Sequence, residues 1–419
     1  MIGYKRILTI LLMFVAVAGA NADNGINSPY SRYGLGTLAN QGLGVNRQMG
    51  GLGYGLRSDS YINILNPASF SQADTLTMLF EAGFSLQDVN FRENGKSINA
   101  LNASFDYVAM QFRLCKGLGM SLGFLPYSTV GYSFGVTSEA GKPGESSNTY
   151  AGSGGLYQPY VGIGWQPFKG LSVGASIAYL YGDITHEITH NFTNETTYDN
   201  YKIYSATFRS YKADFGLQYY ATFAKKHNVV LGATYSLGHD MKADAYRTIA
   251  EASKETKTKI DGGFKLPNTY GGGFTYCYDN QWKFGADYTL QQWGTATFFG
   301  DDETGHGVDR MKVSVGLEYA PNEISNKFYK MISYRGGLYY AQPYTKVQGK
   351  NGCDEYGMSA GLSLPFMNRN NKFSHAAVHI SGQYIHMAPR GGGMITENYF
   401  RLNIGITFNE AWFMKMKVK

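Results

Sequence analysis

The chain has 419 residues, of which 53 are glycine, 34 are tyrosine and only 3 are cysteine, and its formal net charge is +6. Aromatic residues make up 15% of the chain, which excludes a disordered protein, because disordered chains lack the apolar surface needed to fold. Glycine and tyrosine at this density are poor helix formers, and the basic residues form no concentrated patch of the kind that binds nucleic acid. We therefore expect a β protein that does not bind nucleic acid, with one large domain or two to three smaller ones.

Residues 1–22 have the pattern of a secretory signal peptide. Lys5 and Arg6 precede an apolar run from Ile7 to Ala20, and small residues allow cleavage after Ala20 or Ala22. A buried helix or a membrane anchor is the alternative, but spanning a bilayer needs about 20 apolar residues. The three cysteines are odd in number and far apart, so they predict no disulfide framework.

Residues 23–75 are rich in glycine, asparagine and serine and do not alternate like a strand. Such a segment is either a disordered leader or a plug folded into the lumen of a barrel. Its apolar residues, among them Leu35, Met49, Leu52 and Phe70, favour the plug.

From residue 76 to residue 409 apolar and polar residues alternate with a period of two. Phe400, Leu402, Ile404, Ile406 and Phe408, for example, are separated by polar residues or glycine, which places the apolar groups on one face of a strand. The alternation and the turn residues predict strands near 76–88, 100–114, 117–137, 154–166, 170–183, 202–224, 228–241, 262–278, 281–293, 309–320, 328–341, 355–365, 373–387 and 397–409.

The connections between these strands alternate between short and long. Long loops at one end, short turns at the other and an even strand number are the layout of an outer-membrane β-barrel, and a closed barrel satisfies every backbone polar group in lipid. A periplasmic β-sandwich is the alternative. The sequence thus predicts an all-β fold, a transmembrane antiparallel barrel of about fourteen strands with an N-terminal hatch inside its lumen, followed by a periplasmic tail at 410–419.

The long third strand contains Pro126, which cannot donate a hydrogen bond to a neighbouring strand. Since a closed barrel has no natural edge, this proline predicts a kink or bulge in the wall. The alternative is that Pro126 marks the end of a shorter strand near the mouth of the barrel.

Several charged residues are predicted to face the lumen, either as ordinary polar lining or as salt bridges between wall and plug. Among them, Arg335 and Arg401 are candidates to contact the plug or the anionic headgroup of a ligand. The full set comprises Lys283, Asp287, Lys312, Glu318, Arg335 and Arg401.

Two short motifs imitate enzymes. His186 and His190 fit the H-E-x-x-H zinc pattern, but in a strand they would lie about 13 Å apart, too far to share a metal, and we expect the tip of an extracellular hairpin there. Gly131 to Gly135 fits G-x-S-x-G without the strand-to-helix turn that a nucleophile needs. We expect no enzyme, no cofactor and no metal site.

Residues 49–70 resemble the N-terminal hatch of the FadL-like family of outer-membrane barrels, which includes long-chain fatty-acid transporters and PorV-like proteins. The hatch triplet Asn-Pro-Ala is matched by Asn66, Pro67 and Ala68, and the beginning and end of the mature chain resemble members from Bacteroidota. The resemblance implies fourteen strands with the plug inside, a location in the Gram-negative outer membrane, and a kink of the third strand, here at Pro126, that opens a lateral gap.

On this resemblance we expect passive uptake of a hydrophobic or amphipathic small molecule, with lateral release into the membrane lipid near Pro126. Phe124, Tyr132 and Phe134 are candidates to line the ligand pocket around the kink. The alternative is an accessory barrel that does not transport and that docks to subunits of an envelope secretion or barrel-assembly complex.

Overall fold

A computed structural model describes residues 25–75, 77–138, 146–192, 200–251, 254–261, 263–299, 305–321, 328–347, 349–367, 375–391 and 394–411. The predicted signal peptide and residues 412–419 of the predicted tail lie outside these ranges. Within them, no helix has the length and apolar character needed to cross a membrane.

Fourteen antiparallel strands close into a barrel, as the alternation predicts. The first strand pairs with the last, from Thr77 opposite Ala411 to Arg92 opposite Thr396. The strands are β1 Thr77–Glu93, β2 Lys96–Cys115, β3 Leu118–Ser138, β4 Ser146–Phe168, β5 Leu171–Phe192, β6 Asn200–Phe223, β7 His227–Ser236, β8 Thr269–Tyr278, β9 Trp282–Gln291, β10 Arg310–Tyr319, β11 Ser333–Ala341, β12 Cys353–Met367, β13 His375–Pro389 and β14 Thr396–Ala411.

Several strands are longer than expected at the long-loop end of the barrel. The expected loop at 89–99 is a tight turn at Asn94 and Gly95, both with positive φ, and β4 and β5 extend into the expected loops at 138–153 and 184–201. The last strand reaches Ala411, so the barrel ends two residues beyond the predicted boundary at 409.

The long-loop end carries additional short strands. Ala243–Glu251 pairs with β6 and with Lys254–Ile260, which continues the sheet beyond the barrel rim. The remaining short strands are His239–Asp240 with Lys265–Leu266 and Lys346–Val347 with Lys350–Asn351, and a 3-10 turn covers Phe328–Lys330.

The outer face of the barrel is apolar and has two aromatic rings, as expected for a surface that contacts lipid. Exposed aromatic residues near the long-loop end include Tyr157, Tyr211, Tyr288, Tyr384 and Phe400. Exposed aromatic residues near the short-turn end include Trp165, Tyr219, Tyr278, Trp282 and Tyr334.

The N-terminal segment, residues 25–75, folds against the inner face of the wall. It contains the 3-10 helices Pro29–Arg32 and Pro67–Gln72, the short strand Thr37–Leu38 and the helix Gly44–Gln48. Its apolar residues Leu35, Leu43, Met49, Leu52 and Phe70 are buried. It forms hydrogen bonds with strands around the ring, including β1, β2, β6, β9 and β12.

Candidate functional site

The Asn66-Pro67-Ala68 triplet starts the 3-10 helix that rests on the wall near the short-turn end. The Asn66 side chain accepts a hydrogen bond from the Ala68 amide at 3.1 Å, which caps the helix, and donates to the Leu217 carbonyl of β6 at 3.1 Å. The triplet thus anchors the segment to β6.

A row of glycines makes room for this helix. Gly119, Gly164, Gly174 and Gly216 face one another in register across β3 to β6. A Cβ on Gly174 would lie 2.3 Å from the Pro67 carbonyl carbon, and one on Gly119 would lie 1.9 Å from the Phe70 oxygen. The helix can therefore approach the wall only because these positions lack side chains.

A buried ion pair joins the segment to β2. The Arg47 guanidinium lies 2.5 Å from the Asp106 carboxylate, with both side chains almost fully buried. Asp106 sits where the register between β1 and β2 shifts, and such a bulge re-aims a side chain. Arg47 also donates to the Gly42 carbonyl at 2.8 Å, so the pair fixes the fold of the segment as well as its position.

Arg57 forms a second anchor between the segment and the wall, and its hydrogen-bond partners are all neutral side chains. It donates to Gln72 at 2.9 Å, Ser172 at 2.7 Å and Gln166 at 3.1 Å and stacks over Tyr220. Burial lowers the pKa of this guanidinium below its ordinary value. Burial likewise raises the pKa of the nearby Tyr54 hydroxyl to about 12.

The wall has a gap between β2 and β3. Their pairing runs from Cys115 opposite Leu118 to Val108 opposite Phe124 and ends there, although both strands continue toward the long-loop end. Immediately beyond Phe124, the register between β3 and β4 shifts between Pro126 and Ser128. Pro126 thus lies in a bulge at the edge of the gap, with β3 continuing as far as Ser138.

Residues Gly25–Ala39, which we call the strap, line this gap. Thr37 and Leu38 pair with Thr129 and Ser128 of β3, where a closed wall would have β2. Ser28 donates to the buried Glu397 carboxylate of β14 at 2.8 Å. The strap therefore links β3 to β14, which is joined to β2 through β1.

Two cavities lie behind the strap, with volumes of about 260 and 150 Å³. Both are lined by Gln41 and Tyr127, the latter next to Pro126, and the Gln41 amide donates to the Pro126 carbonyl at 3.2 Å. The larger cavity also contacts Arg310, Lys312 and Arg401, and the smaller one contacts Leu125, Tyr160 and Ala178.

The aromatic residues expected to line a pocket around the kink do not line these two cavities. Phe124 stacks on Tyr157, an outward-facing residue of β4, and lies outside both cavities. Tyr132 and Phe134 also lie outside them, nearer the long-loop end. Leu125 and Tyr127 line the cavities instead. Side chains of β3 point alternately inward and outward, and in this part of the strand the odd-numbered residues point into the lumen.

The two arginines proposed from the sequence occupy different places. Arg335 bonds Glu318 at 2.5 Å and Gln48 of the N-terminal segment at 2.8 Å, while Lys283 pairs with Glu318 at 2.9 Å. Arg401 lines the larger cavity, where it donates to Gln87. Asp287 accepts from the Gly53 and Tyr54 amides at 2.6 and 2.9 Å and so holds the segment.

An aromatic cap packs over the β3 to β6 side of the lumen at the long-loop end. Its members are buried and come from the wall, the strap and the loops after β7, β9 and β11; they include Leu35, Tyr204, Phe208, Phe264, Trp293, Phe298 and Phe299, with Tyr344 against them. Rings of the loops pack against rings of the wall, for example Phe264 edge to face with Phe208 of β6 at 4.9 Å.

His186 belongs to this cap and not to a hairpin tip. It lies within β5, is 1% exposed and bonds the Tyr132 hydroxyl at 2.9 Å. Among the described residues no cluster of three His, Cys, Asp or Glu side chains has the arrangement of a metal site.

Sequence reasoning missed the residues that join segment and wall. The partners in each contact are far apart in the sequence: 59 positions separate Arg47 from Asp106, and 369 separate Ser28 from Glu397. No local pattern links them. Tyr127 could have been found, since it follows Pro126 on the inward face of a strand.

A family model described as BamG matches residues 1–419. A search of curated proteins finds no match. Among solved structures, the chain is similar to the CymD monoaromatic hydrocarbon channel, with 15% identity, a TM-score of 0.58, and coverage of 90% of this chain and 98% of that one.

Two further solved structures share the fold. The Pseudomonas putida toluene transporter TodX has 17% identity, a TM-score of 0.56 and coverage of 90% and 100%. A Pseudomonas aeruginosa FadL homologue has 10% identity, a TM-score of 0.57 and coverage of 90% and 99%. The FadL-like fold expected from the hatch motif is thereby confirmed, while the matching family model carries a different description.

Proposed function

Since the chain belongs to the BamG family and has the barrel fold of outer-membrane hydrocarbon channels, we propose that it lies in the outer membrane and admits hydrophobic or amphipathic small molecules passively. The ligand leaves sideways, through the gap between β2 and β3, when the strap moves. Residues 25–75 act as the hatch that closes the lumen.

The observation that carries this proposal is the position of the cavities directly behind the gap. Tyr127 and Gln41 face the cavities, while the strap pairs with β3 at Ser128 and Thr129, one and two residues further on. Displacement of the strap would connect this space to the lipid, because no other strand covers β3 there among the described residues.

The lining favours an amphipathic ligand with an anionic head. Tyr127 and Leu125 offer apolar surface, whereas Arg401 and Lys312 form no ion pair with any carboxylate in the described ranges. A volume of about 260 Å³ is slightly below the roughly 300–1,000 Å³ that is usual for a ligand pocket. The pocket therefore suits a compact ligand or part of a longer one.

A disulfide that fixes the strap tests this function. Thr37 and Thr129 are directly opposite each other, so a Thr37→Cys/Thr129→Cys pair in a background with the native cysteines replaced by serine would lock the strap to β3. Uptake of a labelled fatty acid should fall under oxidising conditions and recover on reduction. The control is Leu362→Cys/Ile380→Cys, an opposed pair in the solid wall. Equal uptake by the locked and reduced forms would refute lateral release.

The accessory-barrel function is the second candidate, and the aromatic cap favours it. The cap fills part of the outer mouth with buried side chains, and the BamG description points in the same direction. Native purification with mass spectrometry of proteins and lipids separates the two. A barrel that carries fatty-acid-like ligands supports uptake, and a ligand-free barrel in fixed ratio with large envelope subunits supports the accessory function.

A further inference from the structure

The upper part of β2 has a free edge. Residues 96–107 pair with β1 on one side, while pairing with β3 begins only at Val108. On the side of the gap, the described residues provide no backbone hydrogen bond to this stretch. The barrel therefore exposes up to twelve residues of unpaired strand edge beside the strap.

Part of this edge lies at the depth of the lipid. Leu101 is opposite Asp88, which is opposite Phe400, and Phe400 is opposite Tyr384 of the upper aromatic ring. Residues 101–107 lie on the lipid side of that ring. Unpaired backbone groups are strongly disfavoured in hydrocarbon unless they line water or find a partner.

The described residues of the strap supply no backbone partner for this edge. Gly25 lies beside Ala103 and Ser104, and Asn27 donates a side-chain hydrogen bond to Asn102 at 3.3 Å, but the Asn102 side-chain nitrogen is buried without a partner. The strap strand Thr37–Leu38 pairs with β3, on the other side of the gap.

Among the described residues, strand Lys254–Ile260 has a second unpaired edge, and its sequence shows how an edge is protected. Strand Lys254–Ile260 carries Lys254, Lys257 and Lys259, and charged residues, lysine above all, prevent an edge from pairing with another chain. In β2, residues 97–105 include no charged residue, and Ile98 and Leu101 are 71% and 78% exposed. This edge is therefore open to pairing.

We propose that the free edge of β2, over residues 98–105, binds an extended strand of a partner protein by β-augmentation. The partner strand alternates apolar side chains, which face the lipid beside Leu101 and Phe105, with small polar ones, which face Asn102 and Ser104. This interaction goes beyond the proposed uptake and does not depend on it.

Hydrogen exchange of the β2 amides tests the proposal, with the barrel compared in native outer-membrane vesicles and, purified, in lipid nanodiscs. We expect those amides of residues 98–105 that point toward the gap to exchange at least about tenfold more slowly in the native membrane, while Lys254–Ile260 exchanges equally in both. Fast exchange in both preparations would mean a water-lined opening, and slow exchange in both would mean closure by the chain itself. Either result would overturn the proposal.

A lysine placed on the edge distinguishes a protein partner from lipid. Leu101→Lys should abolish the native protection, whereas Phe400→Lys, at the same height on β14, should leave it intact. A photo-crosslinker at Leu101 should yield a polypeptide adduct, and one at the neighbouring lipid-facing Leu86 should not. Adducts with lipid alone at Leu101 would refute β-augmentation. That result would leave the proposed uptake untouched, because the disulfide experiment on the strap tests uptake separately.

Discussion

At the scale of single residues, the high glycine content has a definite structural purpose. The row Gly119, Gly164, Gly174 and Gly216 receives the hatch helix, and a second row, Gly285, Gly316 and Gly337, lies against Leu52 and Met49. The composition predicts a β protein, but it cannot predict that the glycines line up, because the alignment depends on strand register.

The first prediction is that Gly174→Ala destabilises the barrel by about 1–3 kcal/mol, the usual cost of overpacking. The added methyl group would collide with the Pro67 carbonyl and displace the hatch helix. Urea unfolding in detergent measures the loss. Gly272→Ala in β8 is the control, because a Cβ there meets nothing within 4 Å, and a similar loss in both variants would contradict the packing argument.

The second prediction concerns the buried ion pair. Arg47→Ala should lower the free energy of unfolding by about 3–5 kcal/mol, because it leaves the Asp106 carboxylate buried without its partner. Arg390→Ala breaks a more exposed pair with Asp354 and should cost about 1 kcal/mol or less. A double-mutant cycle that combines Arg47→Ala with Asp106→Asn isolates the coupling free energy between the two side chains. A coupling free energy of zero would contradict the prediction.

At the scale of elements, the sequence predicts strands well where lipid contacts one face. There the apolar and polar residues must alternate, and all fourteen strands were located. Beyond the upper aromatic ring, Ser146–Ser153 and Thr185–Phe192 are strand without a lipid-facing apolar side, so their polar and turn-forming residues predict loops. The strap–β3 pairing was not predictable, because it joins residues about 90 positions apart through two backbone pairs.

The third prediction is that Phe264→Ala loosens the aromatic cap. Phe264 is 4% exposed and packs against Phe208 and Phe299, so truncation should cost about 3–5 kcal/mol locally. Limited trypsin digestion should then cut the loop after β7, at Lys242 or Lys259, faster than in the unmodified protein. Phe274→Ala, a lipid-facing residue of β8, should leave this cleavage rate unchanged.

At the scale of the whole molecule, hydrogen bonds join the N-terminal segment to strands all around the wall. The N-terminal segment bonds to β1 through Glu81, to β8 through Thr275 and to β13 through Gln383, so contacts are spread around the ring. The apolar residues of the segment predict a plug, and Leu35, Met49, Leu52 and Phe70 are buried. Its contacts could not be foreseen, because each one pairs a loop residue with a distant strand.

The fourth prediction follows from this arrangement. The unmodified barrel should show no steady conductance in planar bilayers, because under the proposed function residues 25–75 close the lumen and a ligand that leaves sideways needs no continuous pore. Arg47→Ala/Arg57→Ala removes anchors on β2 and on β4 and β5, so it should produce intermittent openings as the hatch moves. Leu317→Ala, on the lipid-facing side of β10, is the control and should stay silent. Steady conductance of the unmodified barrel would instead mean an open pore, and it would contradict both the hatch and the lateral route that depends on it.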